Sequence, residues 1–213
     1  AAQWSYPTAF LDTLTLLAKN SAFFRDIYVI DVSGQVIAAS SLEAIASTLP
    51  TKKTRLKNDV WMSDAYMDTK EQFVVSMLAP IQTEQGDVLG HVVGTTLLSD
   101  YNFLYKLIGE GYRDDGSYLY IIDQQNRLVF HPEIERVGHT VLPSANPLLE
   151  VMFTGKSGNQ IITNSQGIEM LAGYAPIVDL NWSLVSQRPS VEIENAHNSL
   201  MIDIILSSLP YSI

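Results

Sequence analysis

SYLYIIDQQNRLVFH, residues 117–131, reads as a β-hairpin. Tyr120, Ile121 and Ile122 form a short buried strand, and Leu128, Val129 and Phe130 form the returning one. Between them Asp123-Gln124-Gln125-Asn126 is polar and turn-forming, and Asn tolerates the left-handed backbone of tight hairpin turns. The same pattern occurs earlier as Tyr28-Val29-Ile30-Asp31, a Val32-Ser33-Gly34 turn, then Val36-Ile37. Tyr28 matches Tyr120, Ile30 matches Ile122, Asp31 matches Asp123 and Gly34 matches Asn126, each 92 positions on. A second pair follows in the same order: Met77-Leu78-Ala79-Pro80-Ile81 and Ala172-Gly173-Tyr174-Ala175-Pro176-Ile177, now 96 positions apart. Two signals at nearly one offset point to an internal duplication, hence two small domains of one fold.

Length and composition agree. A chain of 213 residues allows one or two domains. Hydrophobic residues are 46% and charged residues 17%, which suits a packed core and argues against disorder. The net charge of −10 argues against nucleic acid as a partner, because phosphates need a basic face. The absence of cysteine excludes disulfides, Cys-ligated zinc and Cys nucleophiles.

Taken in order, Ser5-Tyr6-Pro7-Thr8 opens a helix that runs to about Ala22, with Phe10, Leu14 and Leu17 at helical spacing. Leu11 and Leu16 widen its apolar face beyond one packing stripe, which suits a dimer seam. The first hairpin is followed by Leu42 to Lys57, with a short helical candidate and then Lys52, Lys53, Arg55 and Lys57. These four basic residues read either as a solvated loop or as an anion-attracting rim over a pocket. Val60–Tyr66, Phe73–Pro80 and Val88–Leu97 are three antiparallel strands. Leu98–Leu107 is a connecting helix, and the glycines around Gly111 form a linker. The second copy repeats the plan: Pro143–Thr154 as its helical part, then strands at 160–163, 169–176 and 182–187. The fold class is α+β: two tandem PAS-like antiparallel-sheet subdomains on an N-terminal helical stalk. The boundaries are 1–22 for the stalk, 23–108 and 109–190 for the subdomains, and 191–213 for a final helix. Leu200–Ile213 (LMIDIILSSLPYSI) is too short to cross a bilayer, which takes ~20 residues. It reads as the start of a membrane span, with a buried C-terminal helix as the alternative.

The residues resemble a known family. VWMSDAYMDTKEQFVVSMLAPIQTEQGDVLGHVVGTTLL (60–98) resembles the membrane-distal half of a double Cache (dCache) sensor domain. GSYLYIIDQQNRLVFHPEIERVGHTV (116–141) with LAGYAPIVDLNWSLVSQRP (171–189) resembles its proximal half. The resemblance implies an extracytoplasmic sensor between two transmembrane helices, passing a small-molecule signal to an output domain in the cytoplasm. The ending WSLVSQRP resembles most a diguanylate cyclase sensor; histidine kinases and chemoreceptors are the alternatives. By the resemblance the ligand sits in the distal domain, which makes Trp61, Ser63, Asp64, Tyr66, Phe73, Val75, Thr95 and Thr96 the candidate lining. Thr96 stands where many members carry the Asp that receives a ligand ammonium. A hydroxyl there cannot neutralise a buried cation, so small carboxylates or neutral molecules are expected over free amino acids. The chain departs from the amino-acid-binding subset, since Arg55 and Trp61 do not make its Arg-x-Trp pattern, and the pocket-forming segment is short.

No catalytic constellation, metal set or cofactor motif is expected. His91, His131, His139 and His197 lack ligand spacing, and there is no GxSxG or phosphate-binding glycine loop. His131, before Pro132, reads as a structural histidine. The expected partners are a small ligand, the membrane through flanking spans, and a second copy bound weakly through the stalk. The reading from another class is a structural or dimerisation module with no small-molecule ligand.

Overall fold

The computed structural model of the chain describes residues 8–41, 49, 53–99, 103–108 and 113–193. The helical candidate at 42–47, Lys52 and everything after residue 193 lie outside them. The chain divides into two compact units, Ala1–Gly109 with Glu133–Gly138, and Glu110–Pro132 with His139–Ile213.

In the first unit helix α1 (Thr8–Asn20) leads into β1 (Asp26–Asp31), β2 (Val36–Ala39), β3 (Lys53–Arg55), β4 (Trp61–Ser63), β5 (Tyr66–Met67), β6 (Phe73–Gln82) and β7 (Val88–Leu97). The strand order is β2-β1-β7-β6-β4-β3, with β5 also on β6. A short helix, α2 (Phe103–Ile108), follows. The second unit holds β8 (Tyr118–Asp123), β9 (Leu128–Phe130), β10 (Gly158–Thr163), β11 (Glu169–Ile177) and β12 (Trp182–Pro189), ordered β10-β11-β12-β8-β9. Both sheets therefore follow one plan. The opening hairpin forms one edge, the last strand lies beside the first, and every strand pairing is antiparallel. The two repeated prolines sit where this plan tolerates them. Pro80 lies beyond the reach of β4, which ends its pairing with β6 at Leu78, and Pro176 lies beyond the reach of β10, which ends at Tyr174.

The hairpins share one turn chemistry. In the loops starting at Asp31, Asp68, Thr83, Asp123 and Asn164, the first residue bonds through its own N–H and C=O to the fifth and fourth residues. The fourth residue is left-handed: Gly34, Glu71, Gly86, Asn126 and Gly167. An Asp or Asn in first place also accepts the N–H groups of the third and fifth residues, as Asp31 does from Ser33 and Gln35, and Asp123 from Gln125 and Arg127. The side chain thus takes over bonds the ladder lacks at the bend.

Sheet pleat assigns the two faces of the first sheet. One face carries Ile27, Val29 and Ala38, against which α1 packs Leu14, with Phe10, Ala18 and Phe24 around it. Gly94 lies under the Phe24 ring, and a β-carbon there would collide with it. The opposite face carries Tyr28, Ile30, Leu78 and Val93, with Leu49 and Trp61 packed against them.

Two expectations need correction. The strand expected over 60–66 is broken into β4 and β5 at Asp64-Ala65. The helix expected over 143–154 is two 3-10 turns, Pro143–Ala145 and Pro147–Glu150, followed by a hydrogen-bonded turn over 151–153. Pro147 has no N–H to give the carbonyl of Pro143, and its ring would clash with that carbonyl in an α-helix. Asn146 restarts the chain between them, its side chain accepting the Leu148 N–H. Leu148, Leu149 and Met152 then close over Tyr120, Ile122, Ile162 and Val185 in the second unit's core.

Candidate functional site

Register places three rows on the inner face of the first sheet, the face away from α1. Asp26, Thr95 and Ser76 are paired across β1, β7 and β6. Tyr28, Val93, Leu78 and Trp61 form the next row, and Ile30, His91 and Pro80 the third. Directly paired residues share a face, so these side chains converge.

The eight residues expected to line a pocket fall on both faces. Trp61, Ser63, Tyr66 and Thr95 belong to the inner face. Asp64 lies half-buried in the break between β4 and β5. Phe73 and Val75 project to the α1 face, and Val75 pairs with Thr96. The Thr96 hydroxyl donates to the Phe23 carbonyl at 2.8 Å, so it does not stand at the inner face. Of the expected basic rim, Lys53 alone among the described residues faces the groove described next. Arg55 is exposed and paired with Asp59, and Lys57 is exposed on a 3-10 turn.

A groove of about 420 Å³ opens on the inner face. The β1–β2 turn from Ile30 to Gly34 walls one side, with Lys53, Trp61, Leu78 and His91 around the rest. The Asp31 carboxylate at its edge is already engaged. The Ser33 hydroxyl and the Gln35 N–H hold its pKa below the ordinary carboxylate value. Burial and the neighbouring Lys53 lower the His91 pKa, which favours the uncharged imidazole. Lys53 makes no ion pair among the described residues. The groove thus offers an aromatic wall, an apolar floor, an imidazole and one ammonium, with the hydrogen-bonded Asp31 carboxylate at its edge. That chemistry suits a small molecule with an anionic end.

Beside the groove runs a row of hydroxyls that are buried except for the half-buried Tyr66. Tyr66 Oη and Ser76 Oγ are 2.9 Å apart, and Ser76 Oγ and Thr95 Oγ1 are 3.0 Å apart. Ser63 Oγ accepts the Ser76 N–H at 2.9 Å. At the end of the row Arg25 gathers two carboxylates, donating Nε to Asp26 at 2.6 Å and Nη2 to Asp68 at 3.0 Å. Its Nη1 donates to the Gln72 side chain. Burial alone would raise the Asp68 carboxyl, but the Gln72 and Lys70 amides and Arg25 hold it below the ordinary range.

Strand alternation in the sequence puts Leu78 on one face with Val74 and Ser76, as the structure has it, but sequence reasoning missed Tyr28, Ile30 and His91 as inner-face residues. Alternation along β7 from Thr95 was enough to select Val93 and His91; Tyr28 and Ile30 follow only once the register of β1 against β7 is known. Among the described residues no group of three His, Asp or Glu side chains is placed to hold a metal. His131 is buried, its ring edge-on to Tyr118 at 5.7 Å and tilted against Tyr120 at 6.2 Å. No described helix is long and apolar enough to cross a membrane.

No curated protein matches the chain significantly. Among solved structures, the extracellular domain of mmHK1S-Z3, a candidate histidine kinase, is 14% identical with a TM-score of 0.60, covering 92% of this chain and 85% of that one. The ligand-binding domain of the Pseudomonas aeruginosa PAO1 amino acid chemoreceptor PctB, in complex with L-Arg, is 17% identical with a TM-score of 0.57, covering 88% and 80%. That of the Pseudomonas fluorescens chemoreceptor CtaA, in complex with L-alanine, is 18% identical with a TM-score of 0.54, covering 86% and 80%. These likenesses are of fold. The Cache-domain model for the double Cache type matches residues 2–196, and the chain belongs to this family of sensor domains, which is not a family of catalysts.

Proposed function

We propose that this chain is the extracytoplasmic ligand-sensing domain of a bacterial transmembrane signalling protein, and that its ligand binds on the inner face of the first sheet. The groove walled by Trp61, Leu78, Lys53 and His91 carries this reading. On the matching face of the second sheet Leu148, Leu149 and Met152 fill the space. The PctB and CtaA domains, of the same fold, hold small molecules. The ligand class that suits Lys53 beside Trp61 is a small carboxylate; a neutral molecule is the alternative. The parent is a diguanylate cyclase by the resemblance of residues 182–189, with a histidine kinase or chemoreceptor as the other outputs. Flanking spans would hold the domain to the membrane.

A thermal-shift screen of simple organic acids against the twenty amino acids tests this, because a ligand bound only by the folded state raises Tm. Stabilisation by an organic acid that is lost in Lys53→Gln supports the reading. Stabilisation by amino acids alone, or by none of these compounds, contradicts it.

A further inference from the structure

Three ionisable side chains line the groove: Asp31, Lys53 and His91. The Ser33 hydroxyl and the amides of Ser33 and Gln35 donate to Asp31, so it stays ionised well below neutral pH. Its charge offsets that of Lys53, and with an uncharged imidazole the three sum to zero. Opposite His91 in the sheet stand Ile30 on β1 and Pro80 on β6, neither of which titrates. From β3, Lys53 lies near enough to His91 to disfavour the imidazolium, and burial acts the same way. Trp61 on β4 and Leu78 on β6 add no charge to the lining, and Arg55 and Asp59 pair with each other outside it. An anion bound beside Lys53 changes this balance. It leaves the groove with an excess negative charge, and it offsets the Lys53 repulsion that His91 feels. A proton on His91 then restores neutrality.

We infer that the groove binds its anionic ligand together with one proton, taken up by the His91 imidazole, so that the domain reads an organic anion and acidity jointly. This rests on the groove being the ligand site. The sign follows from linkage. Without ligand the imidazole titrates below the ordinary histidine value. With the anion beside it, it titrates higher. Affinity is therefore constant above the bound value and rises as pH falls between the two, by up to about tenfold per pH unit. Below the free value it levels off, because His91 is then protonated before the ligand arrives.

The test uses calorimetric titration of the full 213-residue chain with pyruvate, lactate and ethanesulfonate, which stay ionised from about pH 5.5 to about pH 8. The tightest of the three should bind about tenfold tighter at the acid end than at the alkaline end. Heats measured near neutrality in bis-tris and in imidazole, which differ in ionisation enthalpy, should show net proton uptake. His91→Gln should bind at the alkaline end as the wild-type chain does and lose the rise in acid. The general effect of a net charge of −10 is common to both chains, so it cancels in this comparison. In the wild-type chain, the NMR titration of the His91 ring should move to higher pH when the same anion is present, a readout that needs no variant. Affinity that does not change with pH, a rise in acid that persists in His91→Gln, or a His91 titration that the bound anion leaves in place overturns this inference and leaves the groove reading standing. If none of the three anions binds the wild-type chain at any pH, both fall together.

Discussion

Removing the Arg25 guanidinium should loosen the first unit at neutral pH and much less in acid. Arg25 precedes β1 and ties it to the β5–β6 turn through Asp26, Gln72 and Asp68. The side chains of Asp26 and Asp68 are only 9% and 4% exposed, while that of Arg25 is 26% exposed. Arg25→Met leaves two nearly buried carboxylates without their cation. Hydrogen bonds to charged groups contribute roughly 1.5–3 kcal/mol each, and stranding one member of a buried pair costs about 3–5 kcal/mol. Water reaches the partly exposed guanidinium position and softens this, so the expected loss is roughly 2–4 kcal/mol. The folded Asp68 pKa lies below its unfolded value. Its stabilisation is therefore full above the unfolded value, near 4, and is lost as pH falls through the folded one. Hydrogen exchange read by mass spectrometry should show β1 and β7 amides losing about 30-fold or more protection at pH 7, at about 1.4 kcal/mol per tenfold. The loss should shrink near pH 3, and β8 and β12 should not change at either pH. A loss under about threefold at pH 7, or an equal loss at both pH values, would refute the electrostatic account.

Other expectations follow from named contacts. Lys53→Gln should weaken binding of organic acids about tenfold while leaving Tm without ligand unchanged, as calorimetry and thermal shift would read. Gly90→Ala should destabilise the first unit by about 1–3 kcal/mol or more in urea unfolding, because its β-carbon would land on the Ile30 carbonyl, which is backbone and cannot swing aside. A weak dimer through α1 remains an expectation, and it would have to use the side of the helix that its own sheet leaves exposed. Phe10 and Leu14 pack on the helix's own sheet, while Leu11, Leu16 and Leu17 are exposed. Sedimentation at high concentration should show association that Leu16→Glu with Leu17→Glu abolishes without lowering Tm; a wild-type chain that stays monomeric would remove the seam.

The hairpins were legible because their chemistry is local. An Asp or Asn that accepts two loop amides, followed by Gly or Asn three residues on, marks Asp31-Gly34, Asp123-Asn126 and Asn164-Gly167 without any tertiary information. The repeat was legible because both sheets use that hairpin to open the same strand order. The division of candidate residues between faces was not. The break at Asp64-Ala65 resets alternation between β4 and β5, so Tyr66 falls on the face of Ser76; Phe73 and Val75 are opposite Ser76 by the alternation of β6 itself, and family likeness alone put them in the lining. Thr96 was placed by family likeness, and only the pairing of β6 with β7 turns it toward Phe23. The Pro143–Thr154 segment has helical apolar spacing, but Pro147 overrides it.

The most direct measurement of ligand sensing by the first unit is an NMR titration of the isotope-labelled chain with the tightest organic acid from the screen. The account predicts saturable shifts in Ile30, Leu78, His91 and the Trp61 indole, with Tyr120, Asn146 and Gln187 unmoved. Shifts gathered around Tyr120 and Asn146, or no saturable shifts with any acid tested, would contradict it.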